Sequence, residues 1–154
     1  MKMQNSANDE FSTERLEKIE KFSRIRFPEA YKKFLQSSNG GAPEENVLKV
    51  NDGEYVVEMF LNIVNHPDES QYGDYDIAVV LTQIEDRLTD NLDLLGNELI
   101  PIAALFAGDF VCLDYRNSDI PCISIWDHEN SDEFEPCTQE IADSFESFID
   151  MLTK

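Results

Sequence analysis

Pro28 and the Asn39-Gly40-Gly41 triplet bracket the segment that most constrains this chain. Proline fits the first position of a helix, where its missing N–H costs nothing, and it pushes the preceding Phe27 out of the α region. Tyr31, Phe34 and Leu35 then fall on one helical face, and Asn39-Gly40-Gly41 supplies residues able to take the left-handed conformation that ends a helix. Such a triplet could also cradle a phosphate, but phosphate loops follow a strand and precede a helix, whereas this one follows a helix. Upstream, Leu16, Ile19 and Phe22 or Ser23 recur at helical spacing behind candidate caps Ser12 and Thr13, so a first helix is expected to stop near Arg26.

Beyond the triplet the period changes. Val47–Val50 and Tyr55–Val64 are rich in β-branched and aromatic residues and are separated by Asn51-Asp52-Gly53, which predicts a hairpin. Asn65–Asp76 is polar and acidic and reads as an exposed loop. Ile77, Val80, Leu81, Ile84 and Leu88 return to helical spacing. Ile100–Leu105, Phe110–Tyr115 and Pro121–Trp126 read as three strands in a meander. Ile141, Phe145, Phe148 and Leu152 predict a C-terminal helix with Thr138 as its N-cap. This order predicts an α+β fold: one domain with a mostly antiparallel sheet and with N-terminal, middle and C-terminal helices packed on it. The chain has 154 residues, no internal repeat and no Pro- or Gly/Ser-rich linker. Residues 1–10 are polar and expected to be mobile, and residues 11–154 form the domain.

Charge narrows the function. The formal net charge is −20, with residues 1–50 at +1 and residues 51–154 at −21. Nucleic acid and anionic membrane are poor partners for such a surface, because phosphate binding needs a basic stripe and lipid binding a polybasic segment. A basic protein is a good one, attracted at close range even in physiological salt. Cys112, Cys122 and Cys137 fit neither a metal knuckle nor a disulfide framework and read as reduced thiols. Cys112, alternating within an apolar strand, is expected to be buried and inert. There is no apolar signal region at the N-terminus and no apolar run of membrane-spanning length, so the expected location is the cytoplasm.

The segment Trp126-Asp127-His128-Glu129 sets an imidazole between two carboxylates, which invites a catalytic reading. The chain's two histidines, His66 and His128, are too few for a His-rich metal site, and no nucleophile pairs with either in sequence, so a strand-end turn is expected, with Trp126 as an aromatic anchor. The acidic loops lack the alternating carboxylates and terminal Glu of a calcium loop. No catalytic residue, metal or cofactor is assigned. The candidate partner-binding residues are Asp68, Glu69, Asp74 and Asp76 in the first acidic loop and Asp127, Glu129, Asp132 and Glu133 in the second.

Three segments together resemble the SUKH superfamily, which includes fungal cell-wall-assembly regulators and many bacterial immunity proteins. They are FPEAYKKFLQSSNGG at 27–41, LIPIAALFAGDFVCLDYR at 99–116 with ISIWDHE at 123–129, and IADSFESFIDML at 141–152. The resemblance covers most of residues 12–152. Where the family usually carries Gly-Gly or Gly-Asn-Gly ahead of its strand, this chain has Ala107-Gly108-Asp109. The resemblance implies one α+β domain, with a twisted, largely antiparallel sheet of about six strands flanked by helices, and a binding function without catalysis: an immunity protein that neutralises a cognate polymorphic toxin domain, frequently a nuclease. A nuclease carries basic residues where its substrate's phosphates lie, so an acidic inhibitor would occlude it sterically and electrostatically. The alternative is a regulatory or scaffolding interaction module without a toxin partner. A monomer or weak dimer is expected.

Overall fold

The computed structural model describes residues 1–93 and 96–154 of the chain. A short strand β1 (Met3–Gln4) leads into helices α1 (Thr13–Ser23) and α2 (Glu29–Ser37). Ser12 caps α1, its Oγ accepting the Arg15 amide at 3.1 Å. The triplet after α2 takes positive φ throughout, at 41°, 79° and 113°. A Cβ on Gly40 would lie 2.7 Å from the Phe60 carbonyl oxygen, so that position has no room for a side chain. Asn39 is fully buried and serves as a hub: its Nδ2 donates to the carbonyls of Ala7 (2.8 Å) and Ile63 (3.1 Å), and its Oδ1 accepts the Ile63 amide (2.9 Å). Residues 1–10 contribute the pairing of β1 with β2 (Ala42–Pro43) and the buried Ala7.

The remaining strands are β3 (Val47–Val50), β4 (Gly53–Phe60), β5 (Leu99–Leu105), β6 (Phe110–Asp114), β7 (Cys122–Trp126), β8 (Thr138–Ala142) and β9 (Leu152–Thr153), with α3 (Ile77–Ile84) between β4 and β5 and α4 (Phe145–Met151) between β8 and β9. They form one antiparallel seven-stranded sheet in the order β8-β7-β6-β5-β4-β3-β9. Directly paired residues share a face. Phe60, Ala103, Val111 and Ile125 line one face; Met59, Ala104, Phe110 and Trp126 line the other. On the first, Phe60 meets an aromatic cluster of Tyr31 and Phe34 from α2 and Phe145 and Phe148 from α4, with centroids 4.9 to 6.5 Å apart. On the second, Trp126 packs beneath the 3-10 turn Glu85–Arg87 that continues α3. Helices therefore flank the sheet on both sides, which is why β5, β6 and β7 are almost continuously buried.

The α+β class, the single domain and the antiparallel sheet agree with the sequence. The elements differ in three places. The sheet has seven strands, because Thr138–Ala142 is strand β8 and the last helix runs only from Phe145, capped by Ser144, whose Oγ accepts the Ser147 amide at 3.1 Å, to Met151, leaving Leu152 to open the edge strand β9 rather than to end the helix. Strand β4 stops at Phe60, and the buried Leu61–Val64 run beyond it bonds elsewhere: the Leu61 and Asn62 amides donate to the Ile102 and Tyr75 carbonyls at 2.8 and 2.9 Å, and the Ile63 and Val64 amides to Asn39 Oδ1 and Asp76 Oδ2 at 2.9 and 3.0 Å. Helix α3 gives way at Ile84 to the 3-10 turn, which still buries Leu88.

Candidate protein-interaction site

The segment from Asp127 to Cys137 joins β7 to β8 and holds half of the acidic residues marked by the sequence. Its ends are stitched together: the Asp127 amide donates to the Cys137 carbonyl at 2.9 Å, and the Cys137 amide donates to Ser131 Oγ at 2.8 Å. Asp127 Oδ1 accepts the Glu129 and Asn130 amides at 3.0 and 3.2 Å, and its Oδ2 accepts Asn130 Nδ2 at 2.7 Å. The Asn130 side chain, with these amides, holds the Asp127 carboxyl below the usual carboxylate range.

Two side chains latch this loop to the rest of the fold. Arg87 donates to the carbonyls of His128 and Ser131, the latter at 2.8 Å. Asp109 Oδ1 accepts the His128 amide at 3.0 Å and lies 2.6 Å from its ring Nδ1. The β5–β6 hairpin that carries Asp109 turns through Ala107 and Gly108, at φ 78° and 106°, and the His128 ring lies so close that a Cβ on Gly108 would sit 3.2 Å from it. Held this way, Glu129, Asp132 and Glu133 are exposed on an ordered frame, while Asp127 is half-buried and spends its oxygens inside the loop.

The other four residues divide. Asp68, Glu69 and Asp74 are exposed before α3. Asp76 is fully buried and faces inward: Oδ1 accepts the Ala78 and Val79 amides at 3.0 and 3.3 Å as the α3 cap, Oδ2 accepts the Val64 amide, and the carboxylate pairs with Arg15, whose Nη2 lies 2.9 Å from Oδ1. Its place among the partner-facing residues is corrected accordingly: the charge that looked like part of an acidic surface ties α1 to α3. The two acidic loops do not merge either. One precedes α3 and the other is latched to the turn that follows it, so they flank opposite ends of a segment whose eight helical residues alone rise about 12 Å.

Donor atoms of Asp109, Asp127 and His128 come within 4.8 Å of one another, the one such grouping among the described residues. These side chains could offer a cation two carboxylates and an imidazole, but Asp109 is already bonded to His128 and Asp127 to the loop's own amides. The arrangement closes a loop. Cys112 is buried, which pushes its thiol pKa far up, and Cys122 is pushed up to about 11 by burial and by Glu140, so neither is poised as a nucleophile. A cleft of about 920 Å³ lies elsewhere, between the end of α1 and the turns at 96–98 and 115–119, where Lys21, Arg24, Arg26 and Arg116 are matched by Glu17, Glu20, Glu98 and Asp119. It shares no residue with either acidic loop.

Sequence reasoning missed Asp109 and Arg87, the two latches. The local signal for Asp109 was the turn-forming Ala-Gly before it; Arg87 gave none, since its partners are carbonyls some 40 residues away.

The chain is thus an α+β domain whose seven-stranded sheet carries helices on both faces, with an acidic loop latched at one end. The family model for the SMI1 / KNR4 family (SUKH-1) matches residues 10–151, and the chain belongs to that family. Membership supports an immunity-type role and a protein as the kind of partner. Neither the curated proteins nor the solved structures contain a significant match to the chain. Among the described residues no helix is long and apolar enough to cross a membrane.

Proposed function

We propose that this protein is a cytoplasmic immunity protein that binds a basic toxin domain, a nuclease being the favoured kind, and neutralises it by covering its charged working surface, with no chemistry of its own. The observation that carries the reading is the pairing of SUKH-1 membership with an acidic loop held in fixed shape by Arg87 and Asp109. From Asp127 to Asp150 the chain has nine carboxylate side chains and no Lys or Arg. A fixed array costs less ordering entropy on binding than a mobile one, and its field speeds encounter with a basic surface. Exposed Asp68, Glu69 and Asp74 supply a second patch that extends the field.

The deciding experiment is capture with the tagged protein at low and high salt, followed by co-expression of each captured domain with and without this chain. A toxic basic domain, bound at nanomolar Kd and rendered harmless by co-expression, supports the reading. Partners that bind only at micromolar Kd and are harmless on their own would move the chain to the regulatory or scaffolding class.

A further inference from the structure

Strand β8 ends the sheet, with β7 as its ladder partner and no second one among the described residues, and its Gln139 and Glu140 are exposed. The bond from the Asp127 amide to the Cys137 carbonyl fixes the phase of this ladder. Hydrogen-bonded and non-bonded pairs alternate in an antiparallel ladder, so the next pair, Trp126 with Thr138, is non-bonded, and the following one, Ile125 with Gln139, is bonded. Thr138 and Glu140 therefore aim their backbone N–H and C=O away from β7, while Gln139 turns its own inward. The open edge presents two donor–acceptor sets at the spacing an incoming strand requires.

Edges of this kind are usually guarded by Lys, by Pro or by a bulge. Here Pro136 stands before the strand and the bulge lies at its far end, opposite Ile123 and Ser124, so Thr138 and Glu140 are left unguarded except by charge. That charge is mostly acidic: Glu133, Glu135, Glu140 and Asp143 lie in or beside the strand in sequence, against one cation, Arg116, which donates to the Thr138 hydroxyl and is itself paired with Asp114. Two copies pairing through this edge would bring like charges together, which disfavours self-association, whereas a strand bearing Lys or Arg would be drawn to it.

We propose that β8 is a docking edge and that the basic partner protein adds an extended segment to it, hydrogen bonded to Thr138 and Glu140, with its Lys or Arg side chains against the flanking carboxylates. This rests on the reading of the chain as a binder of a basic protein and states how the binding is made.

The test uses the whole protein and a probe, the capped peptide Lys-Val-Lys-Val-Lys-Val-Lys, with amide exchange read by NMR at low salt. Saturating peptide is expected to slow exchange at Thr138 and Glu140 at least tenfold. Thr138→Pro removes one outward N–H where an edge tolerates proline and is expected to abolish the protection at Glu140, the amide left to report it. Thr138→Val loses the hydroxyl that accepts from Arg116 at 2.6 Å but keeps the N–H, and is expected to retain it. Protection confined to residues 68–74 or 129–135, no protection in the wild type, or equal protection in Thr138→Pro overturns the docking edge; the wild-type and Thr138→Val results decide the matter even if the proline variant fails to fold. The outcome is separable from the toxin reading. A Thr138→Pro protein that still neutralises a basic toxin refutes the edge alone, while peptide pairing in a chain that neutralises nothing refutes the immunity role alone.

Discussion

Arg87 holds Trp126 from two directions: its carbonyl accepts the indole N–H at 3.0 Å, and its guanidinium carbon stands 5.0 Å from the centre of the indole ring. The same guanidinium reaches the carbonyls of His128 and Ser131. One side chain thus joins the turn after α3 to the core of the sheet and to the acidic loop. Arg87→Ala should cost about 2–3 kcal/mol, the sum expected of charge-assisted hydrogen bonds and a cation–π contact, and should speed amide exchange through residues 128–135. Arg87→Lys should recover only part of this, because a compact, strongly hydrated ammonium stacks on the Trp126 ring less well than the planar guanidinium. Urea denaturation and exchange rates read both effects.

Trp126 is only 1% exposed and stands opposite Phe110 in the β6–β7 ladder. Trp126→Ala should destabilise the protein by about 3–5 kcal/mol, through the cavity and the lost transfer energy together. Trp126→Phe keeps most of the volume but leaves the Arg87 carbonyl without its donor, and about 1–2 kcal/mol is the expected cost. Thermal or urea unfolding followed by far-UV circular dichroism separates the two, and a Trp126→Ala protein with wild-type stability would contradict the core placement.

Asp114 supplies the pH dependence. Burial pushes its carboxyl upward, but the hydrogen bonds from Arg116 (2.9 and 2.7 Å) and Ser124 (2.8 Å) outweigh burial and hold it below the usual carboxylate range. A carboxyl depressed in the native state stabilises the fold above its unfolded value, near 4, and that contribution disappears as pH falls through the lower native value. The wild type should therefore lose more stability between about pH 4 and pH 2 than Asp114→Asn, while at pH 7 the variant should be the less stable of the two. Urea midpoints across that range would show the curves converging in acid.

The elements most legible in sequence were those whose local chemistry agrees with their burial. Pro28 and Asn39-Gly40-Gly41 bound α2 because proline and positive-φ residues act within a few positions of themselves. Trp126 was legible as an anchor through the SUKH resemblance of the segment that carries it. Strand β8 was not. Its polar Thr-Gln-Glu sequence carries little β signal, as an edge strand needs little, and Ile141 happens to stand four residues before Phe145, which mimics a helical face. Asp76 shows a different limit. Its place just before an apolar helical run is a cap signal visible in sequence, but Arg15, the partner that makes burial of its charge tolerable, lies 61 residues away.

Ala107 offers a stabilising change. It sits at φ 78° in the β5–β6 hairpin, a conformation costing an L-residue roughly 1–2 kcal/mol and a glycine almost nothing. This is where the SUKH pattern usually carries a second glycine. Ala107→Gly should stabilise the protein by about 1 kcal/mol, net of glycine's greater freedom when unfolded. An unchanged or lowered urea midpoint would mean that the hairpin is not strained at this residue.

Charge reversal tests the acidic loops separately, since α3 holds them apart. Glu129, Asp132 and Glu133 changed together to Lys should slow association with the basic partner most at low salt and flatten its salt dependence, with little effect on folding, because all three are exposed. The same change at Asp68, Glu69 and Asp74 should lower the association rate less if that patch only extends the field. Asp76 behaves differently. Asp76→Lys strips Arg15 of its counter-charge and α3 of its cap and should cost about 3–5 kcal/mol of stability before any partner is met, whereas Asp76→Asn keeps a capping oxygen, loses the counter-charge alone and should cost less. Stopped-flow association rates and unfolding curves on the three sets therefore answer different questions. Unchanged rates at low salt in both exposed-loop variants would leave the acidic field without a part in recognition, and the backbone edge of β8 would then have to carry the specificity alone.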